Sequence, residues 1–417
     1  MTTRTSPATA SRGTCVAIPR GGVRLTKTVL ANVVLLTMIA PLATDMYVPA
    51  FPLVGHDLHT GATEVQLTLT TFFVGMALGQ LVGGPISDQR GRRGPLLGSL
   101  AVMMVASVVC ALSPSIGLMW AARFVQGFSG GWAMVIARSV VVDLASDSRL
   151  VKALNLVQGA AGIAPIVGPL LGAVILQLSH WRLSFWVLTA WCVAMLVAVA
   201  VTVPESLPVE RRHGGGVQQL RRASVHVLRS PRFVGYLIVV AFSMGVIFAY
   251  VATSAFVLQS MNGVTPMAYS LDFAANAVGL TLATLGAARL AGRVPTRTVI
   301  GVGLGATVAA GLLLLTGALW LGMPLWVAVG GFFVLMTAQG LVGPNAGALA
   351  SGEVPAHPGT GSAVLGFVQW CTAGVVAPIA GLGGDRTAVP MALIVLLLVA
   401  GSVTALRVLV DPTRARP

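Results

Sequence analysis

The sequence predicts an all-α membrane protein with twelve spanning helices arranged as two groups of six. Three observations carry this: long unbroken apolar runs, scarce charge, and a one-sided distribution of Lys and Arg. Of 417 residues, 56% are hydrophobic and 9% are charged, whereas a water-soluble domain carries about 25% charged residues. Crossing the hydrocarbon core takes roughly 20 apolar residues as a helix. The runs that meet this length are 28–51, 64–87, 95–113, 117–142, 153–177, 182–203, 233–259, 268–290, 298–320, 325–350, 361–383 and 388–410. Many of the 49 Gly and 23 Pro sit inside these runs. That is a pattern of membrane helices, where small residues allow close approach and Pro is tolerated.

Basic residues concentrate on the cytoplasmic side of membrane proteins. With the N-terminus placed in the cytoplasm, all but three of the 26 Lys and Arg fall in cytoplasmic segments. Arg182 and Arg386 lie on the other side, and Arg123 lies within a run. A wrong helix count would scramble this segregation. The predicted organisation is therefore a cytoplasmic tail 1–27, a six-helix unit 28–203, a cytoplasmic linker 204–232, a second six-helix unit 233–410 and a cytoplasmic tail 411–417. The net charge of +14 then reports membrane orientation rather than nucleic-acid binding, and no nucleic-acid partner is expected. The basic stretch Arg4 to Lys27 precedes a run with no small-residue cleavage site, so it reads as a tail rather than a removed leader.

The halves also repeat. Gln126-Gly127 in the fourth run returns as Gln339-Gly340 in the tenth, and Ala164-Pro165 in the fifth as Ala377-Pro378 in the eleventh, both at an offset of 213. Duplicated halves around a midplane site are a recurrent transporter plan.

Few groups could carry chemistry. Cys15 lies in the tail, and Cys110, Cys192 and Cys371 lie inside apolar runs with no metal or disulfide spacing. His56 and His59 flank Asp57 and Leu58, with no second pair of ligands, and read as an outer loop. No Walker-type phosphate loop is present. An enzyme is therefore not expected, and neither metal nor cofactor is. Asp45, towards the far end of the first run, is either an intramembrane acid, functional by default, or a solvated residue at the outer interface. Arg123 needs a counter-charge or a polar cavity, and Asp45 is the obvious partner. The pair is either permanent and structural, or a carboxyl on which burial and the nearby cation pull in opposite senses, poised to load and release a proton. Tyr47, Gln126, Asn276, Gln339, Gln369 and Trp370 are candidate cavity residues, and each could equally bond between helices. Asp272, near the outer end of the eighth run, reads as solvated.

The segment Gly83-Gly84-Pro85-Ile86-Ser87-Asp88-Gln89-Arg90-Gly91-Arg92-Arg93 resembles the G-x-x-x-D-R-x-G-R-R/K signature of the major facilitator superfamily. Gly84, Asp88, Gly91, Arg92 and Arg93 match, and Gln89 replaces the usual Arg. The resemblance implies the major facilitator fold, with Asp88 contacting a helix terminus of the other half in one conformational state. Leu42-Ala43-Thr44-Asp45-Met46-Tyr47-Val48-Pro49-Ala50 resembles the L-A-x-D-M-Y-L-P-A signature of the Bcr/CflA drug/proton antiporters. Arg123-Phe124-Val125-Gln126-Gly127 resembles their R-F-x-Q-G element. Ala164-Pro165-Ile166-Val167-Gly168-Pro169-Leu170-Leu171-Gly172-Ala173 resembles the antiporter motif G-x-x-x-G-P-x-x-G-G, matching at Pro165, Gly168, Pro169 and Gly172. Small-residue packing alone accounts for those spacings, and only the resemblance ties them to antiport.

What the resemblance implies is proton-driven export of small drug-like molecules across a bacterial plasma membrane by a multi-pass, monomeric carrier. Its partners would be substrate, protons and the bilayer, with Asp45 and Arg123 in proton coupling. Chloramphenicol and bicyclomycin head the candidate substrates. Thr37 stands two turns before Asp45, where some related exporters carry a second acid, which favours neutral or zwitterionic substrates over dicationic ones. An exporter of a metabolite or self-made antibiotic is an alternative, as, more remotely, is a polytopic membrane enzyme.

Overall fold

Helix starts follow the side chains available to cap them. Thr26 Oγ1 accepts the Val29 amide at 3.2 Å, Ser230 Oγ the Phe233 amide at 3.3 Å, and Thr265 Oγ1 the Ala268 amide at 3.3 Å. Each satisfies an amide that the first helical turn leaves open.

The computed structural model describes residues 25–145, 147–212, 224–354 and 358–410. Its long helices are α1 (Lys27–Asp45), α2 (Ala62–Arg90), α3 (Arg93–Leu112), α4 (Ile116–Leu144), α5 (Asp147–Leu178), α6 (Arg182–Thr202), α7 (Pro231–Ala255), α8 (Pro266–Leu290), α9 (Thr296–Trp320), α10 (Leu325–Gly352), α11 (Pro358–Ala380) and α12 (Val389–Ala405). The expected tails, and the Gly214–Gly216 part of the linker, lie outside the described residues.

The first run departs from expectation. A single helix over 28–51 is expected, but α1 ends at Asp45, and the chain continues as a 3-10 turn Val48–Ala50 and a short helix Phe51–Asp57. Pro49 and Pro52 lack the amides that a continuous ladder needs. This break puts the Asp45 side chain at a helix end rather than mid-helix. The π-helical turns Phe256–Met261 and Leu406–Val410 prolong α7 and α12.

The α2–α4 contact is among the tightest. Gly75, Gly79 and Gly83 on α2 face Phe124, Phe128 and Trp132, while Gly127 and Gly131 on α4 face Phe72 and Met76. A Cβ at Gly79 or Gly127 would overlap the opposing backbone. The four-residue glycine spacing makes a packing face of the small-xxx-small type.

α1 to α6 pack together, as do α7 to α12, and the sets meet where α2 lies on α11 and α5 on α8. The repeat is structural. Gln126 Nε2 donates from α4 to Ser107 Oγ on α3 at 2.8 Å, and Gln339 Nε2 from α10 to Thr307 Oγ1 on α9 at 2.9 Å. Hydrogen bonds joining the sets run from Thr63 Oγ1 to the Gly381 carbonyl (3.2 Å), Gln66 Nε2 to the Ala252 carbonyl (2.9 Å) and Gln259 Nε2 to the Pro49 carbonyl (3.0 Å). All three lie towards the end of the molecule that carries Asp57. The opposite end carries Arg90, the 203–212 segment and both ends of the described chain.

Candidate functional site

Asp45 ends α1 and is 6% exposed. Two features hold it. On one side is Gly168 of α5, where an added Cβ would stand 2.7 Å from the Asp45 Cβ, and Gly172 a turn further on lies against the Met46 backbone. The antiporter-like glycines thus seat the acid-bearing end of α1, with α5 running through Pro165 and Pro169. On the other side is Thr44, whose Oγ1 is 3.0 Å from Asp45 Oδ1 and 2.8 Å from the Pro41 carbonyl.

A threonine hydroxyl has one proton to give. Facing a carboxylate and a carbonyl, it can serve only one of them. A neutral Asp45 removes the conflict, because its O–H donates to Thr44 Oγ1, which donates to Pro41. The local geometry accommodates the protonated acid in full.

The expected Asp45–Arg123 ion pair is not formed. Arg123 is fully buried. One of its terminal nitrogens donates to the Ala43 carbonyl at 2.9 Å and to Gln126 Oε1 at 2.6 Å. The guanidinium carbon lies 4.4 Å from the Phe72 ring centroid, 5.2 Å from Tyr47 and 5.9 Å from Phe185. Nε and the second terminal nitrogen have no hydrogen-bond acceptor and lie among these ring faces. Magnitudes explain why no carboxylate is needed. An intramembrane Arg costs roughly 2.5–3.5 kcal/mol on insertion scales. A desolvated cation–π contact returns about 2 kcal/mol, and a hydrogen bond from a charged group about 1.5–3 kcal/mol. Through Ala43, Arg123 anchors the backbone two residues before Asp45.

Several candidate cavity residues turn out to be committed to structure. Gln126 is fully buried, spent on Arg123 and Ser107. Gln339 is 2% exposed, accepting from Ser243 and donating to Thr307. Tyr47 is buried against Phe51, Phe185 and Arg123. Asn276 is buried and donates to Tyr250 Oη and Asp272 Oδ2, both at 2.9 Å. Asp272, expected in water, is half-buried. Gln369 and Trp370 stay half-buried on α11. Trp370 meets Phe73 of α2 and Phe248 of α7, with centroids at 5.5 and 5.8 Å. This three-ring cluster bridges the halves. Phe73 and Phe248 were missed in the sequence, where one Phe among apolar neighbours carries no mark of its position.

The 84–93 segment forms a knot at the Arg90 end. Gly91 has φ +92°, a left-handed turn that favours glycine. Arg92 pairs with Asp88 (2.5 Å) and Asp143 (3.0 Å), and its Nη1 donates to Ser87 Oγ at 2.7 Å. The Arg92 and Arg93 amides donate to Glu205, and the Arg93 guanidinium to the Ala200 carbonyl. Gly84 faces Val135 of α4. The knot ties together the ends of α2, α3, α4 and α6. Among the described residues Asp88 pairs within its own half.

Comparisons with known proteins agree with this architecture. The Major Facilitator Superfamily model matches residues 33–378. The uncharacterized MFS-type transporter YdgK of Bacillus subtilis (strain 168) is 33% identical over 375 residues, covering 89% of this chain and 92% of the relative. The bicyclomycin resistance protein homolog of Haemophilus influenzae is 29% identical over 358 residues, 86% and 89% of the two chains. Among solved structures, a bacterial homologue of the human lysosomal transporter Spinster, inward-facing and unoccupied, superposes with TM-score 0.73 at 14% identity, covering 92% of this chain and 97% of that one. With twelve long helices among the described residues in a repeated arrangement, the glycine-seated acid and a family match over most of its length, the chain belongs to the major facilitator superfamily of membrane transporters.

Proposed function

We propose that the protein exports small drug-like molecules across the bacterial plasma membrane in exchange for protons, with Asp45 as the proton carrier. The single observation that supports this is the Thr44 hydroxyl, set between Asp45 and the Pro41 carbonyl so that only the protonated acid completes both hydrogen bonds. An acid placed this way loses its proton at the cost of one hydrogen bond, and regains the bond when the proton returns. Arg123 is a positioning residue, holding the α1 backbone at Ala43 and forming no ion pair with the carrier.

In this reading the Arg90 end faces the cytoplasm and the Asp57 end faces outwards. The bonds through Thr63, Gln66 and Gln259 hold the outward side shut. Substrate then enters from the cytoplasm and meets the Phe73–Phe248–Trp370 cluster and Gln369. Rocking of the halves about that region exposes Asp45 outwards, where it is protonated and substrate is released. No cofactor is needed, and the carrier works as a monomer. The name of the Haemophilus relative makes bicyclomycin a first candidate, with chloramphenicol beside it.

The test is uptake into inverted vesicles of a panel containing both drugs, with and without an imposed pH gradient. Accumulation that collapses with the gradient is the expected outcome. Gradient-independent uptake rules out proton coupling, and no uptake of any panel member points to a metabolite substrate.

A further inference from the structure

A second acid lies within the spanning helices, and the Asp45 mechanism makes no use of it. Asp272 sits six residues into α8, about 9 Å along the helix from its first residue, and it is half-buried. An intramembrane carboxylate calls for a partner or a function. None of the ion pairs among the described residues includes Asp272. Its neighbour is an amide: Asn276 Nδ2, one turn on, donates at 2.9 Å to Asp272 Oδ2 and at 2.9 Å to the Tyr250 hydroxyl of α7. The other end of that amide, Asn276 Oδ1, is buried with no donor. From the same cluster, Ser254 Oγ stands 3.1 Å from the Tyr269 hydroxyl. Tyr269 stands three residues before Asp272 on the same helix.

An amide suits a group that gains and loses a proton, because it has a donor end and an acceptor end. With Asp272 ionised, Nδ2 gives both of its protons, one to the carboxylate and one to Tyr250. With Asp272 protonated, the amide turned over presents Oδ1 in the same place, accepting from the acid O–H and from the Tyr250 O–H. Both states keep the hydrogen bonds to Asp272 and Tyr250 without moving a helix, and each leaves the other end of the amide unpartnered. An arginine or lysine in place of Asn276 would support only the ionised state.

We propose that Asp272 is a second proton-binding carboxyl, on the opposite half of the transporter from Asp45, with Asn276 and Tyr250 as the positioning residues that accommodate both of its charge states. The inference rests on the proton-coupled reading above and extends it to a second group. The titratable groups beside Asp272 are Tyr250 from α7, reached through Asn276, and Tyr269 one turn earlier on α8. Helix α10 contains no charged residue, and α5 carries its own at 147–152, in its first two turns at the other end. Two acids on opposite halves give each transport cycle two protonation events. They also revise the sequence-based argument from a single acid, since one carboxylate remains to face a substrate cation while the other holds a proton.

The test needs no substrate. The full-length protein is reconstituted in phospholipid vesicles, and infrared difference spectra across a pH titration follow the C=O stretch of protonated carboxyls. The expected result is two titrating components, one lost in Asp45→Asn and the other in Asp272→Asn, with Asn276→Leu moving the midpoint of the Asp272 component alone. A protonated-carboxyl signal unchanged in Asp272→Asn overturns the proposal. If that variant fails to reach the membrane, unmoved midpoints in Asn276→Leu overturn it instead. Loss of the Asp45 component from the wild type, with the Asp272 component present, would sink the Asp45 mechanism and leave this site standing.

Discussion

Gly168 lies so close to Asp45 that a Cβ at position 168 would stand 2.7 Å from the aspartate Cβ. The antiporter-like motif and the acid are therefore two sides of one contact between α5 and α1. Replacing Gly168 by Ala forces the helices apart or turns the Asp45 side chain away from Thr44. Overpacking of this kind costs about 1–3 kcal/mol, and each 1.4 kcal/mol is a factor of ten. We expect Gly168→Ala to lower export by about five- to a hundredfold and Gly168→Val to abolish it, with both proteins present in the membrane. Gly162→Ala on the same helix has no atom within 4 Å of the new Cβ and should be neutral. Equal transport by Gly168→Val and wild type in vesicles would refute the coupling.

Asp45→Asn separates the two accounts of Arg123. In an ion pair, removing the acid leaves a buried cation uncompensated, at about 3–5 kcal/mol. Here Arg123 is held by the Ala43 carbonyl, Gln126 and three rings, and none of these changes. The expected result is loss of pH-driven export with a thermal midpoint close to that of the wild type. A large drop in thermal stability would restore the ion pair.

The helices were legible in the sequence because length and hydropathy dictate them, and the described ends mostly fall within three residues of expectation. The partnership of Asp45 and Arg123 was misread for a physical reason. A sequence shows which charges exist, and a carboxylate is the only counter-charge it displays. A main-chain carbonyl such as that of Ala43, or the face of Phe72, can hold a guanidinium equally well and leaves no sign. The break after Asp45 was signalled by Pro49 and Pro52 but was hidden by the apolar run continuing through it. Gln126 and Gln339 were read as possible cavity residues, although their repetition at one offset pointed to a structural role in each half. Asp272 reads as solvated from its nearness to a helix end, a position that does not reveal its hydrogen bond to Asn276 one turn on.

That structural role gives the glutamines a distinct signature. Gln126→Leu removes one of the two oxygen acceptors of Arg123 and the donor to Ser107, and Gln339→Leu strands the Ser243 hydroxyl and removes the donor to Thr307. Hydrogen bonds between membrane helices are worth roughly 1–2 kcal/mol in model peptides. Both variants should lower the thermal midpoint, Gln126→Leu more because a buried cation loses an acceptor. Neither should change the KM for a transported drug. A raised KM with unchanged stability would return these residues to the substrate site.

Closure at the Asp57 end depends on a few contacts that can be trapped. The Phe51 and Phe256 ring centroids are 5.9 Å apart across the two halves, beside the Gln259–Pro49 hydrogen bond. Alternating access requires this contact to open once per cycle, because a site enclosed on that side cannot release substrate through it. In a background with the four native cysteines replaced, Phe51→Cys with Phe256→Cys should react with a short bifunctional thiol reagent. The bridged protein should then lose export, and cleaving the bridge should restore it. Each single variant treated in the same way should keep transporting, which separates bridging from simple alkylation. Undiminished export by the bridged protein would mean that the halves do not part between Phe51 and Phe256, and that substrate leaves by another route.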